Sequence, residues 1–352
     1  MQGVCDLKVL ITGANGLLGR AVVSAFLSRG HAVRAVVRPS ATIGHLDWPD
    51  SVDVFRADLR SHPGLGASFE DVNVLVHLAA VVLGNDATHF ASTVGGTERL
   101  LDAMSRSTTR RLVLASSFSV YGWIECSRTV DEGSPAPSDL YECGAYAIAK
   151  TWQERIARRM SAIHAWQLTV LRPGIIWGPG HELSGIVGPR FGATRLVVGA
   201  HRHLPLTYVT NCADCFVKAA EDPKAVGETF NVVDGHKVTA WRYAKEVLQR
   251  SGEGGRRIPV PYWLARANAF TADHCRRLLF GERGKLPALL TPRYIAYMRP
   301  LHFSNQKLQA ALGWEAPLDF QEALEHCFQE TAAPGPALRA AVSGNASCRQ
   351  PE

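Results

Sequence analysis

The chain has 352 residues, 46% of them apolar and 20% charged, with a net charge of +6. That length suits two domains, or one large domain with a smaller lobe, and the balance of apolar and charged residues excludes a disordered or fibrous chain. No apolar run approaches the ~18–20 residues needed to cross a bilayer, which excludes a helical membrane span.

The first element is the most informative. The apolar run Leu7–Ile11 predicts a buried strand, and Thr12-Gly13-Ala14-Asn15-Gly16-Leu17-Leu18-Gly19 carries it into a helix over about 17–29. Glycines three apart between a strand and a helix form a device for holding a pyrophosphate. Gly13 would make the tight turn and Gly16 would let the backbone approach the phosphates. Gly19 would let the helix pack close to the strand. The anion would sit at the helix N-terminus, where unpaired N–H groups and the helix dipole favour negative charge. A chain that opens on a strand and a phosphate loop is not expected to carry a cleavable leader. Gly30 is placed to close the first helix.

Further strands are predicted at 32–37, 52–56, 73–78, 111–116 and 167–172, separated in part by helices at about 92–105 and 144–161. This alternation predicts an α/β fold, a doubly wound parallel sheet of the Rossmann type covered on both faces. After Pro173 the glycines and prolines of 178–192 read as a long irregular loop. Strand character returns at 206–209, a helix follows over 211–221, and Phe230–Val233 reads as one more strand. Residues 238–330 predict a smaller, mostly helical lobe capping the C-terminal edge of the sheet. The expected division is 1–177 with 206–236 for the dinucleotide, 178–205 with 237–330 for a substrate, and a disordered tail over 333–352.

The eight cysteines, at 5, 126, 143, 212, 215, 275, 327 and 348, are too scattered for a disulfide scaffold, so a reducing cytoplasm is expected. Cys212 and Cys215 lack a second Cys/His pair to complete a zinc site and read as small core residues of a helix; no metal is expected. Residues 241–300 hold twelve Lys or Arg against four acids, an excess of +8. With no nucleic-acid motif alongside it, that excess points to an anionic substrate or a solvated helix face, not to nucleic acid.

Chemistry enters at Tyr146-Ala147-Ile148-Ala149-Lys150. Residues four apart on a helix share a face, and an ammonium beside a phenol would lower the tyrosine pKa enough for acid–base work near neutral pH. None of the other seven tyrosines has a lysine four residues later. The preceding strand ends in Leu114-Ala115-Ser116-Ser117, which aims a hydroxyl into the crevice where doubly wound sheets bind ligands.

With these motifs in order, the chain resembles the short-chain dehydrogenase/reductase superfamily in its extended form over about residues 7–328. The matching segments are GANGLLG (13–19), Ala57-Asp58-Leu59, Val76-His77-Leu78-Ala79-Ala80, Gly96-Thr97, SSFSVYG (116–122), YAIAK (146–150), LRPGIIWGPG (171–180) and LGW (312–314). The resemblance implies that Tyr146 exchanges a proton with the reacting oxygen, that Ser117 binds that oxygen, and that Lys150 holds the nicotinamide ribose. It further implies that Gly13, Asn15, Gly16, Leu17, Leu18 and Gly19 cradle the cofactor. Asp58 would contact the adenine and Ala79 and Ala80 would line the cofactor's floor, with Leu59, Leu78 and Pro173 also among the cofactor-binding residues. One position departs from the pattern: Thr93 stands where the family often has the asparagine of a proton relay.

The second strand bears on the cofactor. NAD enzymes of this kind end it with an acid for the ribose hydroxyls. Here Val37 and then Arg38 stand there, and a guanidinium suits a 2′-phosphate. NADP(H) is favoured, with NAD(H) the alternative. Phe118-Ser119 replaces the Asp-Glu pair of sugar dehydratases, which disfavours dehydration. Two reactions remain. The first is hydride transfer between NADP(H) and a ketone or secondary alcohol of a small molecule. VRAVVR (33–38) resembles dihydroflavonol reductases in this, while Tyr208–Asn211 and Pro287–Pro292 resemble the 3β-hydroxysteroid dehydrogenase branch, with Trp263, Leu264 and Phe270 as an apolar cap. The second is 4-epimerisation of a nucleotide sugar, with Arg190, Arg195 and Arg202 clamping the diphosphate. A homodimer is expected, through the helices at 92–105 and 144–161.

Overall fold

The computed structural model describes residues 6–332, apart from 47, 62, 83, 141–142, 183, 282–285 and 287–290. The strands are β1 Lys8–Thr12, β2 Ala32–Val37, β3 Asp53–Arg56, β4 Val74–His77, β5 Arg111–Ala115, β6 Thr129–Val130, β7 Gln167–Pro173, β8 Ile175–Trp177, β9 Arg190–Phe191, β10 Thr194–Val198, β11 Leu206–Tyr208, β12 Thr229–Val232, β13 Arg256–Val260 and β14 His302–Phe303. The helices are α1 Leu17–Ser28, α2 Asp86–His89, α3 Gly96–Ser105, α4 Ala145–His164, α5 Val209–Glu221, α6 Ala240–Arg250, α7 Tyr262–Phe280, α8 Pro292–Ala296, α9 Gln306–Leu312 and α10 Phe320–Ala332.

Seven strands form one parallel sheet in the order β12-β7-β5-β4-β1-β2-β3. Its central strands β1, β4 and β5 are largely apolar and buried because both faces are covered. Val9, Ile11, Val76 and Val113 pack with α1 and α5 through Val22, Phe26 and Phe216. Leu10, Leu75, Leu112 and Leu114 pack on the other face with Leu100, Met104 and Ala157 of α3 and α4. Burying each such side chain contributes roughly 1.5–3 kcal/mol. The winding reverses beside β1, which lies between β4 and β2, and such a reversal opens a crevice at the strands' C-terminal ends. The register brings those ends level: Thr12 pairs with His77, His77 with Leu114, and Leu114 with Val170.

The region expected as irregular loop contains β9 and β10, and β10 pairs in parallel with β13. The run Thr194-Arg195-Leu196-Val197-Val198 has strand character, but flanking glycines hide it among turn signals. Cys212 and Cys215 are fully buried on α5, and burial pushes both thiols up. The 333–352 tail, Cys5, Cys348 and residues 287–290 lie outside the described residues.

Candidate functional site

Strands β1, β2, β3, β4, β5 and β7 each lead at their C-terminal end into a candidate site residue. After β1, Gly13 turns with φ +70°, a conformation that side chains disfavour, and a Cβ there would come within 3.0 Å of the Ala79 backbone. The Gly16 amide closes the turn onto the Gly13 carbonyl at 3.1 Å, and Gly16 caps α1. At Gly19 a Cβ would collide with the Gly13 oxygen, so only glycine lets α1 lie this close to the loop. Leu17 and Leu18 face opposite packing clusters beneath it, and Asn15 is half-buried. The cradle's narrowness and its helix N-terminus fit a dinucleotide pyrophosphate.

Around the adjacent ends, Val37 is buried and Arg38 is exposed. Arg56 steadies the segment beyond by donating to the Pro39 and Ala41 carbonyls at 3.1 and 3.0 Å. Asp58 is gripped by Arg60, which donates from Nε and Nη2 at 2.7–3.1 Å. Arg60 first, and Arg38 more weakly, hold the Asp58 carboxyl below the usual range. Arg60 is thus a second cation at this end that sequence reasoning did not single out. Leu59 packs its Cβ at 3.4 Å from the position a Cβ on Gly96 would take, and Leu78, Ala79 and Ala80 follow β4 half-buried.

Ser117 follows β5. Its hydroxyl accepts the Ser119 amide at 3.1 Å, and it stands close enough to the Tyr146 phenol to pull that group's pKa down. The structure therefore brings Ser117 and Tyr146 together. Lys150, one turn on along α4, is fully enclosed; its ammonium donates to the Ala115 carbonyl at 2.7 Å and to Gln153 Oε1 at 2.9 Å. Burial raises the Tyr146 phenol, against the opposing pull of Ser117, and lowers the Lys150 ammonium to about 7. The depression of the phenol expected from Lys150 is not what this arrangement produces. The lysine directs its hydrogen bonds to Ala115 and Gln153, and desolvation dominates. Pro173 closes β7 as a buried residue of the same rim.

Other groups have structural duties. Tyr121, the second tyrosine near Ser117, donates to Asn231 Oδ1 at 2.6 Å and is pushed up to about 12, mainly by burial, which unfits it for acid–base work. Thr93 accepts the Val81 amide at 3.0 Å, tying down the segment after β4. Arg195 and Arg202, expected as diphosphate clamps in the epimerase alternative, are buried and bind the Gly188, Val198 and Ile186 carbonyls and Glu253. Arg190 also lies toward Glu253, at 3.7 Å. Trp263, Leu264 and Phe270 are exposed on α7; Trp263 and Phe270 line an open cavity of about 440 Å³ with Arg266.

His89 escaped sequence reasoning altogether. It is buried, its ring meets that of Tyr146 edge-on with centroids 6.2 Å apart, and its Nδ1 has no hydrogen-bond partner among the described residues. Nothing in a lone histidine on a short helix signals such a place.

A model of the NAD dependent epimerase/dehydratase family matches residues 9–233. The chain belongs to that family. Among relatives of this epimerase/dehydratase chain is a 3 beta-hydroxysteroid dehydrogenase/Delta 5-->4-isomerase from Mycobacterium tuberculosis, 28% identical over 91% of this chain and 89% of its own length. Another is a 4-hydroxy-2-methyl-3-oxo-4-farnesyl-3,4-dihydroquinoline-1-oxide ketoreductase from Stigmatella aurantiaca, 26% identical over 96% and 99%. In fold it is similar to the UDP-glucose 4-epimerase of Thermus thermophilus in complex with NAD, with a TM-score of 0.68, 21% identity, and 94% and 100% coverage. Among the described residues no helix is long and apolar enough to cross a membrane, and no group of three or more His, Cys, Asp or Glu could hold a metal.

Proposed function

We propose that this protein transfers a hydride between NADP(H) and a ketone or secondary alcohol of a small apolar molecule. The observation that carries the reading is the convergence of Ser117, Tyr146 and the enclosed Lys150 at the C-terminal ends of the strands beside the glycine loop. A bound nicotinamide supplies or accepts the hydride. Tyr146 gives a proton to the carbonyl oxygen, or takes one from the alcohol, and Ser117 hydrogen-bonds that oxygen. Lys150 holds the ribose and keeps positive charge in the cleft. Arg38 meets the 2′-phosphate, the sheet as far as Trp177 together with 206–236 holds the cofactor, and 178–205 with 237–330 holds the substrate. The steroid dehydrogenase and ketoreductase relatives favour an apolar ketone, and the internal engagement of Arg195 and Arg202 weighs against a nucleotide diphosphate. We further place the protein in the cytoplasm as a homodimer joined through α3 and α4, where Trp152 stands half out of α4 with Arg155 stacked 5.2 Å from its ring.

The test mixes the protein with NADPH and a panel of apolar ketones and follows the absorbance of the reduced cofactor. Net oxidation, lost in Tyr146→Phe with NADPH binding retained, is the expected result. Interconversion of a nucleotide-sugar pair without net oxidation would establish the epimerase instead.

A further inference from the structure

Lys150 sits at one end of a buried hydrogen-bond chain that has no part in the proton and hydride transfers. Gln153, three residues on along α4 and 1% exposed, accepts the lysine's proton on Oε1 at 2.9 Å. Its amide nitrogen faces Thr97 Oγ1 at 2.9 Å, His77 Nε2 at 3.1 Å and the Ala79 carbonyl at 3.3 Å. His77 Nδ1 reaches Thr12 Oγ1 at 2.6 Å, and Thr97 gives its own proton to the Thr93 carbonyl at 2.5 Å. All of these side chains are buried.

The directions of these bonds follow from the lysine. An ammonium has only donors, so the Gln153 carbonyl must face it and the NH₂ must face His77. His77 Nε2 lies between the Gln153 NH₂ at 3.1 Å and Thr97 Oγ1 at 2.9 Å, and its Nδ1 meets Thr12 Oγ1. Burial first, and the Lys150 charge second, hold His77 down at about 3, so the ring stays neutral. Glu154 is adjacent on the same helix, but Arg172, Ser116 and Arg158 occupy its carboxylate. Among the described residues, the groups facing the ammonium are therefore Gln153 and Glu154 from α4, His77 from β4 and the Ala115 carbonyl at the end of β5. Of these, Gln153 is the one side chain that takes its hydrogen bond without cancelling its charge.

We propose that Gln153 is a positioning residue: it holds the Lys150 ammonium at the cleft and links it through His77 to Thr12, at the root of the cofactor loop. The inference rests on the assignment of Lys150 to the cofactor ribose, but not on the identity of the substrate or of the reaction. A neutral acceptor is suited to this place, since a carboxylate would neutralise the lysine and an apolar side chain would leave it, His77 and Thr97 short of partners.

The experiment reads Lys150 itself. Protein carrying [ε-¹³C]lysine is titrated by NMR, the signal being identified by its absence from Lys150→Met. Gln153→Leu should lower the titration midpoint and Gln153→Glu should raise it, each by about one pH unit. At pH 8, Gln153→Leu should also weaken NADPH binding several-fold in a fluorescence titration. Circular dichroism confirms folding. If the leucine variant does not fold, the glutamate variant decides alone: an upward shift supports the proposal, while no shift or a fall overturns it. Midpoints that stay put in both variants, or move in the same direction, also overturn it. Failure of the ketone assay would leave this titration unaffected, so the two readings fail separately.

Discussion

Arg172 closes on Glu154 with two nitrogens, Nε at 2.9 Å and Nη2 at 2.8 Å, and gives its Nη1 to the Tyr121 hydroxyl at 3.1 Å. The pair bolts β7 to α4, the helix that carries Tyr146 and Lys150, and Ser116 joins it from the end of β5. Arg172→Met would strand a buried carboxylate. The expected loss is about 3–5 kcal/mol of unfolding free energy by urea titration. The double variant Arg172→Met with Glu154→Met should lose clearly less; equal losses would show that the pair is not coupled.

In the proposed reading Arg38 meets the 2′-phosphate, since Arg60 is engaged by Asp58. Arg38→Asp should raise the Michaelis constant for NADP by roughly 10–100-fold, the range expected for losing a charge-assisted hydrogen bond. Arg60→Ala should have the smaller effect. An unchanged NADP constant in Arg38→Asp would remove the argument for NADP over NAD.

Lys150 makes stability depend on pH in a definite direction. Its ammonium falls from 10.5 in the free side chain to about 7 in the fold, because burial disfavours the charge. Between those values the unfolded chain binds the extra proton, so this group makes the folded state more stable as pH rises from about 7 toward 10.5. Lys150→Met should flatten that rise and be the more stable protein at pH 7 and below. The gain is at most a few kcal/mol, since lowering a pKa by one costs about 1.4 kcal/mol. Thermal melts at several pH values check it; identical slopes for both proteins would contradict it.

Gly19→Ala drives a methyl group into the Gly13 carbonyl. The loop must shift, and the NADPH dissociation constant should rise at least about tenfold, a cost of ~1.4 kcal/mol. Gly66→Ala, where a Cβ meets nothing within 4 Å, is the control and should bind normally.

The sheet and the loop at its edge were legible because they rest on local rules. Apolar runs such as Val9–Ile11 and the glycine spacing from Gly13 to Gly19 each state their own geometry. Tyr146 and Lys150 were legible for the same reason, four residues being one helical turn. What distance along the chain hides is who answers whom. The direction of the Lys150 hydrogen bonds depends on Gln153 and Ala115, and His77, 76 residues before Gln153, becomes its neighbour only through β4. Arg195 and Arg202 looked like free cations because nothing in the sequence shows the carbonyls of their own loop. The strand Thr194–Val198 was hidden because its partner lies beyond α6.

That parallel pairing of Thr194–Val198 with Arg256–Val260 has a mechanical consequence. Two stretches of chain separated by two helices and two strands share one hydrogen-bonded plate, so a displacement of either is passed to the other. Insertions or deletions on one side would re-aim the opposite side as well, and in variants of this protein a change of ligand preference can originate some sixty residues away from the side chain that touches the ligand.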